Sequence, residues 1–200
     1  RSLLYRNKDR IAALILEPVM IDIGFVEANS EYLKGLRKIC DELNILLIFD
    51  ELLSGSRVPE ESCQKWYNVT PDLSIFGKAI ANGHIMAAVS GKNEVMETIG
   101  PKGTASFVGT FNGHVYSLAA ALATLELLID GNIRIDLERK IQYLKSSFEG
   151  SAKKYGIPAL LNGRGGHFHW YFTDNVKNYR DAASSNFDNY IAFTKSMLEQ

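Results

Sequence analysis

Three short stretches of this 200-residue chain carry residue types suited to chemistry at a sheet edge. In the first, Phe49-Asp50-Glu51, the apolar run Ile45 to Phe49 ends on two carboxylates. A carboxylate directly after a buried strand lies at the carboxyl edge of the sheet, where open parallel sheets bind ligands. An anion there is costly to bury without a cationic partner. Asp50 therefore suits a cationic group of a ligand, with a helix cap or a surface carboxylate as the plain alternative. In the second, Gly77-Lys78, a lysine follows another apolar strand and the glycine permits close approach. A lysine half-buried in that place has a lowered pKa and is a usable amine nucleophile. The alternative is a lysine that snorkels to solvent. In the third, Gly109-Thr110-Phe111-Asn112-Gly113-His114 precedes a long helical pattern. A hydroxyl and free backbone N–H groups at a helix N-terminus make an anion site. A simple capping loop explains the same residues.

The elements that must position these residues are legible as alternation of strand and helix. Ile11 to Val19 is an apolar run stopped by Glu17-Pro18, the pattern of a strand buried on both faces. Asn29 or Ser30 caps a helix whose apolar stripe is Tyr32, Leu33, Leu36, Ile39, Cys40 and Leu43. Ile45 to Phe49, Asp72 to Phe76 and Ile85 to Val89 read as further strands. Gly100 to Gly113 is a long loop. Helices are expected over Val115 to Ile129, about Ile133 to Tyr155, and Phe187 to Leu198, with an aromatic strand at His167 to Phe172. The order predicts an α/β fold with a mostly parallel sheet. A domain boundary is expected near Asp130 to Ile133, giving residues 1–131 and 132–200.

Hydrophobic residues make up 46% and charged residues 22%, ordinary globular values that exclude a disordered or fibrous chain. The 22 basic and 23 acidic residues nearly cancel, so nothing drives binding to nucleic acid or an anionic membrane. No apolar run is long enough to span a bilayer. Two cysteines make no disulfide framework, which suggests a reducing, cytoplasmic setting. His167 and His169 alternate on one strand face, but no third ligand accompanies them, so no metal site is expected.

Asp50 and Lys78 fall at the carboxyl ends of strands expected to be neighbours. An acid for a pyridinium nitrogen, a lysine for an aldehyde and an anion site for a phosphate are the parts that pyridoxal 5'-phosphate needs. The chain resembles the class III aminotransferases of pyridoxal-phosphate fold type I (aspartate aminotransferase-like), most closely their glutamate-1-semialdehyde aminomutase branch. The resemblance rests on Ile15-Leu16-Glu17-Pro18-Val19, Leu47 to Val58, Thr70-Pro71-Asp72-Leu73, Phe76 to Gly83, and Gly109-Thr110-Phe111-Asn112-Gly113. The spacings of 28 residues from Asp50 to Lys78 and 32 from Lys78 to Thr110 suit that branch.

The resemblance implies transfer of an amino group through a Lys78 Schiff base and a 1,3-proton shift, with a pyridoxamine form in the cycle. It implies that Asp50 pairs with the ring nitrogen. Thr110 would bind the cofactor phosphate, of the other subunit in a homodimer with shared active sites. The substrate would be a small amino/keto compound or an amino-aldehyde. Asp22, where that branch has an asparagine and many class III enzymes a glutamate, would gate a substrate-binding arginine or meet a substrate amine, or else is a solvated loop carboxylate. The family's Gly-rich turn and Leu-Pro after the lysine are here Ala81-Asn82-Gly83-His84-Ile85, and Ser56 replaces an aromatic residue. These departures bear on the substrate, not on the cofactor. Family chains are about twice this long, and Arg1 is not a methionine. The expectation is an internal piece, inactive alone. It would hold part of the large domain and the start of the α+β C-terminal domain. The rival expectation is a catalytically incomplete binding or assembly module.

Overall fold

The computed structural model describes residues 1–199. A short helix α1 (Ser2–Arg6) and a 3-10 turn (Lys8–Arg10) lead into β1 (Ala13–Leu16). The two-residue strands β2 (Val19–Met20) and β3 (Val26–Glu27) form an antiparallel hairpin. Helix α2 (Ser30–Leu43) starts at Asn29, whose side chain accepts from the N–H groups of Glu31 and Tyr32. It ends at Asn44 in the left-handed region, φ 53°. Leu33, Leu36 and Cys40 from the expected stripe are buried.

Next come β4 (Leu46–Asp50), α3 (Cys63–Tyr67), β5 (Leu73–Gly77), a 3-10 turn (Lys78–Ala81), β6 (Ala87–Gly91) and α4 (Asn93–Met96). The sheet order is β1-β4-β5-β6. The first three strands are parallel, and β6 runs antiparallel at the far edge. The fourth strand thus lies two residues beyond the expected Ile85 to Val89. Ile85 and Met86 instead belong to the turn before it. Strand β1 also departs from expectation. It alternates exposed and half-buried positions, with Ile15 57% exposed, so one face of the strand is left uncovered. Its apolar run is therefore not enclosed on both faces by the described residues.

Helix α5 (Val115–Ile129) matches the expected bounds, and α6 (Asn132–Lys154) follows after Gly131. The hairpin β7 (Leu160–Arg164) and β8 (His167–Tyr171), then α7 (Tyr179–Ala183) and α8 (Phe187–Leu198), complete the chain.

The chain divides into two compact units. One is Arg1–Pro18 with Ala28–Gly131; the other is Val19–Glu27 with Asn132–Gln200. In the first unit the core joins Leu33 and Cys40 of α2 to Leu47 and Phe49 of β4, all fully buried. In the second, Phe148 packs against Trp170, Phe172 and Phe193 with ring centroids 4.4, 6.2 and 5.5 Å away. No helix is long and apolar enough to cross a membrane, among the described residues.

Candidate active site

Asp50 is the last residue of β4, and Lys78 follows the last residue of β5. The two strands are adjacent and parallel, with Asp50 opposite Ile75 and the Glu51 N–H donating to the Ile75 carbonyl at 2.9 Å. Both side chains therefore leave the sheet at its carboxyl edge. Asp50 is half-buried, and its Oδ1 accepts from the Leu52 N–H at 3.1 Å.

Glu51, its neighbour, has a different environment. It is fully buried and accepts from the Cys63 N–H at 2.7 Å and from Gln64 Nε2 at 3.3 Å. Gln64 also donates to Ser74 Oγ at 2.9 Å. Burial pushes the Glu51 carboxyl up, and the Cys63 N–H and Gln64 amide only partly offset it. Glu51 thus fixes the start of α3 from within, while Asp50 is left at the rim.

Lys78 opens the 3-10 turn with φ 47°, a left-handed conformation rare for a side chain other than glycine. Its neighbour Gly77 sits so close to the segment that follows β4 that a Cβ there would lie 2.7 Å from Leu52 Cδ2. Ile80 and Ala81 anchor the turn by packing with Ala121 of α5 and with Phe76, Met86 and Ala88. The same turn leaves Lys78 on its outer side, exposed rather than half-buried. A seam between strands would have enclosed the lysine; a turn that buries its C-terminal half does not.

Thr110 lies in the loop before α5, on a groove of about 450 Å³ that it shares with Ile85, Met86, Phe111, Asn112 and His114. Neither Asp50 nor Lys78 lines that groove. His114 is the residue before α5, and its Nδ1 lies 2.9 Å from Ser117 Oγ. No side chain accepts a hydrogen bond from the first N–H groups of α5.

Asp22 is exposed at the tip of the β2–β3 hairpin, within the second unit. The turn beneath it is tight: the N–H groups of Gly24 and Phe25 both donate to the Ile21 carbonyl, at 2.9 and 3.3 Å. Tyr171 of β8 donates its hydroxyl to the Ile23 carbonyl at 2.5 Å. That contact joins residues 148 apart, so no local pattern announces it. His169 is half-buried, stacked 5.2 Å from Tyr190, and burial lowers its pKa.

The chain is similar in sequence and in fold to known proteins. The model of the aminotransferase class-III family matches residues 1–194. Over the whole chain, 38% of residues are identical to a glutamate-1-semialdehyde 2,1-aminomutase of Chlorobium phaeobacteroides. A relative of the same name in Fusobacterium nucleatum is 36% identical over 98% of the chain. The chain spans about half the length of these curated relatives, 47% and 46%. Among solved structures, an omega-transaminase from Sphaerobacter thermophilus superposes with a TM-score of 0.84 at 30% identity, over 90% of this chain and 42% of that one. A transaminase solved with PLP bound gives 0.78 at 25% identity, over 92% of this chain and 43% of that one. The fold is that of the fold type I aminotransferases over the part these chains share. With the family model matching nearly end to end, the chain belongs to the aminotransferase class-III family.

Proposed function

We propose that this chain carries the lysine-bearing part of a pyridoxal-phosphate-dependent amino-group transferase, either a two-substrate aminotransferase or a glutamate-1-semialdehyde aminomutase. The observation that carries the reading is the placement of Asp50 and Lys78 at the carboxyl ends of adjacent parallel strands. The residues fit the cofactor. An exposed amine on a residue held at positive φ suits its aldehyde, a rim carboxylate its ring nitrogen, and a helix start without a side-chain cap, after the Thr110 loop, its phosphate. When bound, pyridoxal phosphate supplies an electron sink for the carbon that bears the substrate's amino group.

This chain's own residues would do the rest. Asp50 would hold the proton on the ring nitrogen. Lys78 Nζ would anchor the cofactor and, once displaced by the substrate amine, would take the proton from the substrate carbon that bears the amino group and deliver it across the C=N bond on the cofactor side. Thr110 Oγ1 and the N–H groups at the start of α5 would bind phosphate, which in a homodimer belongs to the partner subunit's cofactor. Asp22 would face the amine of a small amino/keto or amino-aldehyde substrate. Residues 1–131 would be the later part of the cofactor-binding domain, and 132–200 the start of the small domain. The near balance of charge supports an enzyme that binds neither nucleic acid nor an anionic membrane, and the two free cysteines support a cytoplasmic setting.

A second reading, a binding or assembly module without chemistry, draws on the chain's span of about half its relatives. The test is amino transfer by the longest polypeptide that carries this sequence in its native reading frame. Lys78→Ala is expected to lower the rate by at least about a thousand-fold. A Lys78→Ala rate equal to wild type would remove Lys78 from the chemistry. Turnover of an amino-aldehyde alone marks an aminomutase; a requirement for a 2-oxo acid marks an aminotransferase.

A further inference from the structure

We propose that Tyr171 is a positioning residue for Asp22: it clamps the turn that presents this carboxylate to substrate. The inference rests on the reading above, in which Asp22 faces the substrate amine.

Asp22 stands in the turn between β2 and β3, and the backbone there is strained. Gly24 has φ 104° and Phe25, an aromatic residue, has φ 63°. Such a turn keeps one shape only where its surroundings over-determine it. Here they do so from β7 and β8. The Tyr171 hydroxyl donates to the Ile23 carbonyl, one residue past Asp22. Asn162 Nδ2 donates to the Phe25 carbonyl at 3.5 Å. Gly24 lies against the phenol itself: a Cβ there would fall 1.9 Å from the Tyr171 oxygen and 2.9 Å from His169 Cδ2. Tyr171 is 3% exposed, and its ring is held edge-on by His169, with centroids 4.7 Å apart. Burial pushes the phenol pKa up to about 12, so the hydroxyl keeps its proton and remains a donor throughout the working range. Ile21 and Phe25 on either side of the turn are buried, leaving Asp22 as the exposed carboxylate at its tip.

The test is a double-mutant cycle on the native-frame polypeptide loaded with cofactor, using Tyr171→Phe, Asp22→Asn and the pair. Tyr171→Phe keeps the ring and removes one hydrogen bond. It is expected to lower kcat/KM about five-fold, the worth of one neutral hydrogen bond, and to leave trapping of cofactor at Lys78 unchanged. In the Asp22→Asn background the same change is expected to have no further effect. Independently of activity, amide hydrogen exchange at Gly24 and Phe25 is expected to rise in Tyr171→Phe. An additive effect in the cycle, or unchanged exchange at the turn, overturns the clamp while leaving the cofactor reading intact. If Asp22→Asn alone changes nothing, the substrate-facing role of Asp22 falls, and the clamp's purpose with it. Loss of trapping in wild type defeats the parent reading instead.

Discussion

At the end of β4, Glu51 accepts from the Cys63 N–H and Gln64 inside the core, while Asp50 stays at the rim with Leu52. The identity of the two acids was legible in the sequence, and so was their position after an apolar strand. Which of them would be enclosed was not, because α3 and its Ser62 cap close over Glu51 through contacts 12 and 13 residues away. The exposure of Lys78 was hidden for a similar reason. Gly77-Lys78 reads alike whether the following turn buries the lysine or Ile80, and packing against α5 decides it. Burial raises the Glu51 pKa above its unfolded value, so the folded state holds that proton more tightly. Stability from this group is full below the ordinary glutamate range of about 4.3 and declines as pH rises towards the folded value. Glu51→Gln keeps the shape without the charge. Its melting temperature relative to wild type is expected to climb as pH rises through that window, measured by thermal melts in a pH series. A constant difference at every pH would show that Glu51 does not titrate there. Glu51→Ala leaves the buried Cys63 N–H without its acceptor and is expected to cost about 2 kcal/mol by denaturant unfolding.

Among elements, those with a strong local pattern were the easiest to foresee. Helix α2 has its Asn29 cap and stripe, and α5 is a run of good helix formers ended by Asp130-Gly131. The hairpin of β2 and β3 offers two residues per strand, too few to show alternation, and only pairing across the turn defines it. Asp72 is the residue that ties the first unit's elements together. It accepts from the Leu47 N–H of β4 at 2.7 Å and pairs with Arg37 of α2 at 2.8 Å and Lys92 after β6 at 2.7 Å. Burial would raise its pKa, but Lys92, the Leu47 N–H and Arg37 together hold it below the usual range. The stability it contributes is present above about pH 3.9 and is lost as pH falls through its lower folded value. Asp72→Asn is expected to cost about 2 kcal/mol at neutral pH, because Arg37 and Lys92 lose a buried anion and Arg37 is left to the exposed Asp41, 2.8 Å away. The variant is expected to lose less stability than wild type on acidification. Equal acid sensitivity in urea titrations would place the pairing energy elsewhere.

Over the whole molecule, the apolar surface is concentrated on α5 and the loop before it. Val115 and Tyr116 are each 74% exposed, Leu122 60%, Ile129 79% and Val108 90%. Scattered apolar residues on a surface need no explanation, but a run along one 15-residue helix is the kind of patch that association covers. The proposed homodimer would cover it. Sedimentation velocity is expected to show concentration-dependent association of the chain. Leu122→Glu is expected to shift it towards monomer by at least about ten-fold without lowering the melting temperature, since the side chain is already in water. A clean wild-type monomer at high concentration would contradict this. The amine at Lys78 is tested by borohydride reduction in the presence of pyridoxal phosphate, followed by peptide mass mapping of the native-frame polypeptide. One reduced adduct is expected, on the peptide that contains Lys78 and absent from Lys78→Ala. A folded polypeptide with no adduct at Lys78, or with the adduct on another lysine, would contradict it.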